Sequence, residues 1–402
     1  MKQNRCYYFW LSSFLLVFNF SSGQNSWVQK NSFPALERDD AVGFTIGQTG
    51  YMGTGYMTGF QLSKDFWAYD PLTNAWTQVA DFAGTERQYC SAFTLNGNGY
   101  VIGGFDVNGN YCDDSWLYDA GNNSWTQKAS LPGVGRSGAV AFAINDTGYI
   151  GTGRNNSIYL NDFWKYDPSS DSWTQLPDFP GSPRFVAAGF GVAGKGYIGT
   201  GRDLAGNLLS DFYSYDPVMM LWNSSPNFPG TSRSYAEGFS LATSGIVGSG
   251  FDAVSGCVND FWEYLPASSN WIQLTSLPTT ARKGGSGFVI NGQVFYGTGI
   301  DNNNVRLNDF WEYTPATGLP DLESSTNIHC FPNPSTGMFS ISSKNNMIQR
   351  VSIYDKNIKL ISEIISKDFI AKINLESASE GIYFCKITTG KKVRVEKIMI
   401  VK

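Results

Sequence analysis

The chain has 402 residues, a formal net charge of −5 and a single histidine, His329. Aromatic residues make up 15% and charged residues only 16%. That balance excludes a disordered, charge-driven chain and points to a large core packed on rings. Charge is also divided along the chain. Residues 25–326 hold 15 Lys and Arg against 28 Asp and Glu, whereas residues 327–402 hold 12 against 6. An acidic body of net −13 lacks the basic residues that phosphate contacts need, so no nucleic-acid partner is expected.

Residues 1–24 read as a secretory signal peptide. Lys2 and Arg5 form a positive start, Tyr7 to Phe20 an apolar stretch, and Ser21-Ser22-Gly23 a small-residue cleavage region. The apolar stretch is too short for a comfortable membrane span, and no transmembrane segment is expected. After cleavage Cys90, Cys112, Cys257, Cys330 and Cys385 remain. Export permits disulfides, an odd number leaves at least one thiol outside any intramolecular pair, and none has metal-ligand spacing.

From residue 25 onward the chain repeats with a period near fifty, the mark of a repeat architecture. An aspartate before an aromatic strand falls at Asp65, Asp114, Asp162, Asp211, Asp260 and Asp309. A Trp in a short polar strand falls at Trp27, Trp76, Trp125, Trp173, Trp222 and Trp271. Each repeat opens on an Arg, continues with an alternating segment such as Ala139 to Ile144, then a glycine-rich segment such as Gly148 to Gly153, and closes on the two marked strands. Short β-branched and aromatic runs between Gly, Asn and Pro read as strands and turns. Four strands per repeat make one propeller blade. Trp27 precedes the first Arg and no Trp follows Tyr313. The sixth blade therefore takes its fourth strand from the N-terminal end, near residues 26–30.

These residues resemble the kelch repeat family over roughly 25–316. The resemblance rests on the paired glycines ending the second strand, the Tyr-Asp-Pro and the Trp spaced after it. It implies an all-β fold, a six-bladed kelch β-propeller whose shared face binds a protein or a small polar ligand. The fold alone does not name the function.

Residues 317–326 are polar and read as a linker. Residues 327–402 read as a separate small β-sandwich, with strands near 338–342, 350–355, 358–365, 370–375, 382–388 and 393–401. This tail resembles the type A C-terminal sorting domain of type IX secretion. The motifs are Phe331-Pro332-Asn333-Pro334-Ser335-Thr336-Gly337, Val351-Ser352-Ile353-Tyr354-Asp355, Gly381-Ile382-Tyr383-Phe384, and the terminal Lys397 to Lys402. The resemblance implies a Gram-negative host of the Bacteroidota kind, engagement of the type IX machinery through residues 327–402, and a secreted or surface location.

With no His in the repeats, copper-oxidase chemistry of the kelch type and Ser-His-Asp or Cys-His catalysis are excluded there. No glycine loop is followed by the GKS or GKT of a phosphate cradle. No metal or cofactor is expected. The candidate ligand contacts are arginines, whose planar fork suits carboxylate, phosphate or sulfate. Arg154 and Arg202 directly follow Gly-Thr-Gly in two adjacent repeats. Arg38, Arg87, Arg136, Arg184, Arg233 and Arg282 open the six repeats. In kelch substrate adaptors, arginines at both positions line the channel mouth. The resemblance thus implies a basic rim formed by all eight. The six-fold set has a second reading, since six aspartates recur beside it and each Arg could pair with one.

Two function classes follow. One is a secreted binding module for a glycan or protein ligand. The other is a kelch-type enzyme on an acidic sugar, similar to a sialate mutarotase or epimerase. For the second, Glu237 is the acid/base candidate, because four residues after Arg233 in a strand would place both on one face.

Overall fold

The computed structural model describes residues 25–315, 328–343, 347–355, 359–389 and 392–402. The signal peptide read at 1–24 and the linker read at 317–326 lie outside the described residues. The chain divides into two compact units, Met1–Thr317 and Gly318–Lys402.

In the first unit, six four-stranded antiparallel sheets follow one another. The first blade contains Val42–Ile46, Thr49–Gly53, Phe66–Asp70 and Ala75–Val79. The sixth contains Ser286–Ile290, Gln293–Gly297 and Phe310–Thr314, and its outer strand is Ser26–Lys30. Ser26 to Lys30 pair antiparallel with Thr314 back to Phe310, Trp27 lying opposite Tyr313. The first unit is a six-bladed β-propeller, closed by its N-terminal strand.

The repeated residues explain why the blades stack. Each marked Trp donates its indole N–H to a backbone carbonyl at the end of the preceding blade's outer strand. Trp76 bonds Asn31, Trp125 bonds Ala80, and Trp27 bonds Thr275, at 3.1, 3.0 and 2.9 Å. In five of the six blades the Trp ring also packs on the phenylalanine that opens the preceding blade's third strand, Ser115 standing at that place before Trp173. Phe163 meets Trp222 and Phe261 meets Trp27, both at 4.9 Å. The glycine of the second strand leaves room for a phenylalanine of the blade before it. A Cβ on Gly99 would lie 2.1 Å from the Phe44 ring, and one on Gly196 would lie 2.2 Å from Phe142.

The structure adds short strands that the repeat pattern did not reveal. The residue pairs opening each repeat, such as Arg38–Asp39 and Arg184–Phe185, pair with residues just after the second strand, such as Tyr56–Met57 and Arg202–Asp203. Two residues per strand are too few to produce an alternation that a sequence reading could detect.

The second unit is a β-sandwich. One sheet holds Ile328–Phe331, Met338–Ser343 and Ile370–Asn374, and the other holds Leu360–Asp368, Ile348–Tyr354, Gly381–Thr389 and Lys392–Ile400. Ile341, Val351, Ile353, Ile387 and Ile398 are fully buried between them. The strand Ile328–Phe331 was not anticipated. It is four residues long and runs directly into the Pro332 and Pro334 of the sorting-domain motif, too short a run to show a strand alternation.

Candidate functional site

The six repeated arginines are among the most buried side chains in the protein, each at 2% exposure or less. Each forms a two-pronged ion pair with the aspartate of its own blade. Arg184 Nη1 and Nη2 lie 2.6 and 2.8 Å from the two carboxylate oxygens of Asp211, and Arg282 makes the same pair of bonds to Asp309. Arg38 with Asp65, Arg87 with Asp114, Arg136 with Asp162 and Arg233 with Asp260 repeat the arrangement. Burial alone would raise these carboxyls. The guanidinium bonds and charge outweigh it and hold Asp65, Asp162, Asp260 and Asp309 below the usual range. The backbone carbonyl of the same arginine accepts an N–H from the preceding blade, as Gly153 to Arg184 and Gly299 to Arg38, both at 2.8 Å. Arg38, Arg87, Arg136, Arg184, Arg233 and Arg282 thus tie adjacent blades together. This corrects their assignment to a ligand-binding rim, because both terminal nitrogens of each fork already face an internal carboxylate.

Two residues after each arginine the chain turns through the left-handed region. Asp40, Tyr89, Gly138, Val186, Tyr235 and Gly284 have φ between 47° and 60°. Such values are uncommon for a non-glycine residue and unusual for a β-branched one such as Val186. Backbone bonds link these residues from blade to blade. Tyr89 donates to Asp40, Gly138 to Tyr89, Val186 to Gly138, Tyr235 to Val186 and Asp40 to Gly284, at 2.8 to 3.1 Å. The belt sets the mouth of the central channel and gives it three polar side chains, Asp40, Tyr89 and Tyr235. The position was legible as a fixed offset from the arginine, but its residue types differ in every blade but two pairs.

Aromatic rings gather at this mouth. Tyr89 lies 5.4 Å from Phe185 and 6.2 Å from Tyr235 between ring centroids, and Phe185 lies 6.1 Å from Tyr235. Asp39, Asp40, Tyr89, Tyr235, Lys283 and Arg306 line a cavity of about 210 Å³. Arg306 Nε sits 2.6 Å from Asp39. Asp40 is pushed well above the usual carboxylate range, by burial first and by the neighbouring Asp39 second.

Arg154 and Arg202 stand on equivalent short strands at the mouth, opposite Tyr159 and Phe185 respectively. The Arg154 guanidinium lies 4.2 Å from the centre of the Phe185 ring, and its buried Nε has no hydrogen-bond partner. Arg202 is exposed. Among the described residues neither meets a carboxylate. Burial raises the Tyr235 hydroxyl pKa, Asp40 adds to the rise, and both Arg154 and Arg202 oppose it. The two arginines therefore act electrostatically on the same hydroxyl.

Glu237 lines both the channel, a space of about 360 Å³ walled mainly by small residues, and a chamber of about 100 Å³ that it shares with Asp40, Tyr89 and Tyr235. Burial pushes its carboxyl up to about 8. It does not share a face with Arg233. The two belong to different sheets, and the left-handed Tyr235 between them breaks the strand alternation. A folded-state value raised from 4.5 means the folded form holds its proton while the unfolded chain loses it. Stability from this group is fully present below about pH 4.5 and is lost as pH rises towards 8. Glu237→Gln should therefore melt with the parent near pH 4.5 and above it at pH 8. Equal differences at both pH values would show that the carboxyl is not shifted.

A β-propeller with an aromatic, cation-bearing mouth, followed by a β-sandwich, defines the class. The chain belongs to the kelch-repeat family. The KLHDC2/KLHL20/DRC7 Kelch-repeats domain matches residues 11–187 and 84–246. The secretion system C-terminal sorting domain matches residues 329–401. No curated protein matches the chain. A solved structure titled "Structure of YjhT" is similar at a TM-score of 0.59 and 17% identity, over 70% of this chain and 95% of that one. That likeness shows the fold. The sorting domain marks the protein for type IX secretion, hence for export to the cell surface or beyond in a Bacteroidota-type bacterium. Among the described residues no helix is long and apolar enough to cross a membrane.

Proposed function

We propose that the propeller is a binding module that holds an anionic group of a glycan or protein ligand at Arg154 and Arg202, outside the cell or on its surface. The observation that carries this is the distribution of ion pairs. Seven of the nine arginines between residues 25 and 326 pair with an aspartate. The two that do not are neighbours in adjacent blades at the channel mouth. Forked donors left without an internal acceptor are suited to a carboxylate, phosphate or sulfate brought by a ligand. Action on an acidic sugar is less well supported, since Glu237 lines the channel and its chamber and the two arginines line neither.

The test is a glycan and protein-ligand screen on the secreted protein, with a mutarotation assay by NMR beside it. In the Arg154→Ala/Arg202→Ala variant, affinity for the ligand found should fall by about 1.5–3 kcal/mol per lost charged bond. The melting curve should stay close to the parent, since exposed changes cost about 0.5 kcal/mol and the Arg154–Phe185 contact about 0.5–1 kcal/mol. Unchanged affinity for every ligand found would remove the arginines from the site. Turnover of an acidic sugar that is lost in Glu237→Gln would replace the binding reading with the enzymatic one.

A further inference from the structure

The arginines are not the only cations without a partner at the mouth. Of the fifteen Lys and Arg between residues 25 and 326, eleven lie within 4.0 Å of a carboxylate. Among the described residues four do not: Arg154, Lys165, Arg202 and Lys283. Lys165 stands in the middle of the third strand of its blade, Phe163–Asp167, which is paired on both sides. The other three gather around the neighbouring rings of Phe185 and Tyr235. Lys283 Nζ lies 5.6 Å from the centre of the Tyr235 ring and 5.0 Å from that of Phe251. It lines the 210 Å³ cavity together with Tyr235. Arg154 lies 4.2 Å from the centre of the Phe185 ring, which is 6.1 Å from that of Tyr235, and Arg202 pairs with Phe185 across the short ladder.

Lys283 follows a repeat arginine directly. The same position in the other blades holds Asp39, Gln88, Ser137, Phe185 and Ser234, so the lysine breaks the repeat. Its amide and carbonyl are both bonded to Ile300, which fixes the backbone. Its side chain has no such anchor. Lys283 shares its cavity with Asp39 and Asp40 and acts on both, but Asp39 is already paired with Arg306 and burial favours the protonated form of Asp40. The third, fourth and sixth blades thus each bring to the mouth a cation with no ion pair of its own within 4.0 Å. One small anion held by the arginines would leave Lys283 with only the buried Asp40 and the already paired Asp39 opposite it, in a cavity partly shielded from water, where a further negative charge interacts more strongly than at an open surface.

We propose that the mouth takes a ligand carrying two acidic groups on one compact unit, one held by Arg154 and Arg202 and the other by Lys283, with the Tyr235 ring between them. This rests on the reading of Arg154 and Arg202 as anion contacts. The acidic groups are carboxylates or sulfates, and both chemistries fit a fork beside a point charge.

The test uses the secreted protein and two matched probe series: a disaccharide bearing no, one or two sulfates, and a small acid bearing one or two carboxylates. Isothermal titration should show the doubly charged member binding about tenfold more tightly than the singly charged one in at least one series, which also identifies the acidic group. Lys283→Met should bring that ratio close to one, Lys283→Arg should restore it, and Lys165→Met should leave it as in the parent. Loss of all binding in Arg154→Ala/Arg202→Ala together with an unchanged ratio in Lys283→Met would keep the anion site and overturn the second anchor. So would a Lys283→Met variant that melts lower with its ratio unchanged, because the lysine would then serve only Asp39 and Asp40. If no probe in either series binds the parent protein, both readings fall.

Discussion

Arg184→Ala should be one of the most destabilising single changes in the protein, at about 3–5 kcal/mol, or a fall in melting temperature on the order of 10 °C. The arginine is completely buried, and its fork makes two bonds to Asp211 and two more to the carbonyls of Ser182 and Thr200. It also lies 4.7 Å from the centre of the Phe179 ring. Truncation strands a carboxylate and two carbonyls at once. Asp211 keeps 31% of its side chain exposed, more than its counterpart Asp309 at 21%. The stranded carboxylate can therefore be partly rehydrated, which places Arg184→Ala near the lower end of the range and Arg282→Ala nearer the upper. Arg184→Lys should recover only part of the loss, because an ammonium cannot reproduce a fork. Differential scanning calorimetry on these variants and on Arg154→Ala/Arg202→Ala separates the two arginine sets. If Arg184→Ala melts with the parent while the double variant melts far below it, the structural and ligand-facing roles are exchanged.

Much of this architecture is legible in the sequence because repetition multiplies weak signals. One Trp in a polar strand says little, but six at a nearly constant interval fix the blade count, and the unmatched Trp27 shows how the ring closes. The six arginines were legible as a set and ambiguous in role. An Arg and an Asp about 27 residues apart can meet only if the strands between them fold as they do here. Arg154 and Arg202 stood out because they break the repeat. Lys283 breaks it too, yet it follows a repeat arginine and reads there as one more charge. The Asp40, Tyr89 and Tyr235 side chains escaped for a different reason. Their position is defined by a left-handed backbone, which Asp, Tyr, Gly and Val share in this ring without sharing any chemistry. Glu237 was misjudged on the same account, since strand alternation was carried through a turn that the backbone makes at Tyr235.

Trp27→Ala should cost about 3–5 kcal/mol, the usual loss for truncating a buried aromatic. It should also do more damage than the same change at Trp76, although both rings occupy the same place in their blades. Trp27 is 8% exposed, packs on Phe261 and Tyr313 at 4.9 and 5.1 Å, and bonds Thr275. Its strand Ser26–Lys30 is joined to the rest of the sixth blade by hydrogen bonds to Phe310–Thr314, by the packing of Trp27 on Tyr313 and by the ion pair of Lys30 with Glu312 at 2.5 Å, with no chain link within the blade. Every other outer strand is also tethered by the chain to the third strand of its own blade, as Ala75–Val79 is to Phe66–Asp70. When Trp76 is truncated the tether holds its strand in register. When Trp27 is truncated nothing covalent within the blade does, so the loss of packing and the loss of strand pairing come together. Removal of residues 25–30 carries this to its limit: it leaves the outer edge of Phe310–Thr314 unpaired, an edge open to association. Hydrogen exchange should find the amides of Ser26–Lys30 and Phe310–Thr314 opening first in Trp27→Ala, whereas in Trp76→Ala the exchange should spread over the first blade without a preferred edge. Equal destabilisation of the two variants, with uniform exchange in both, would mean that the seam is no weaker than any other junction in the ring.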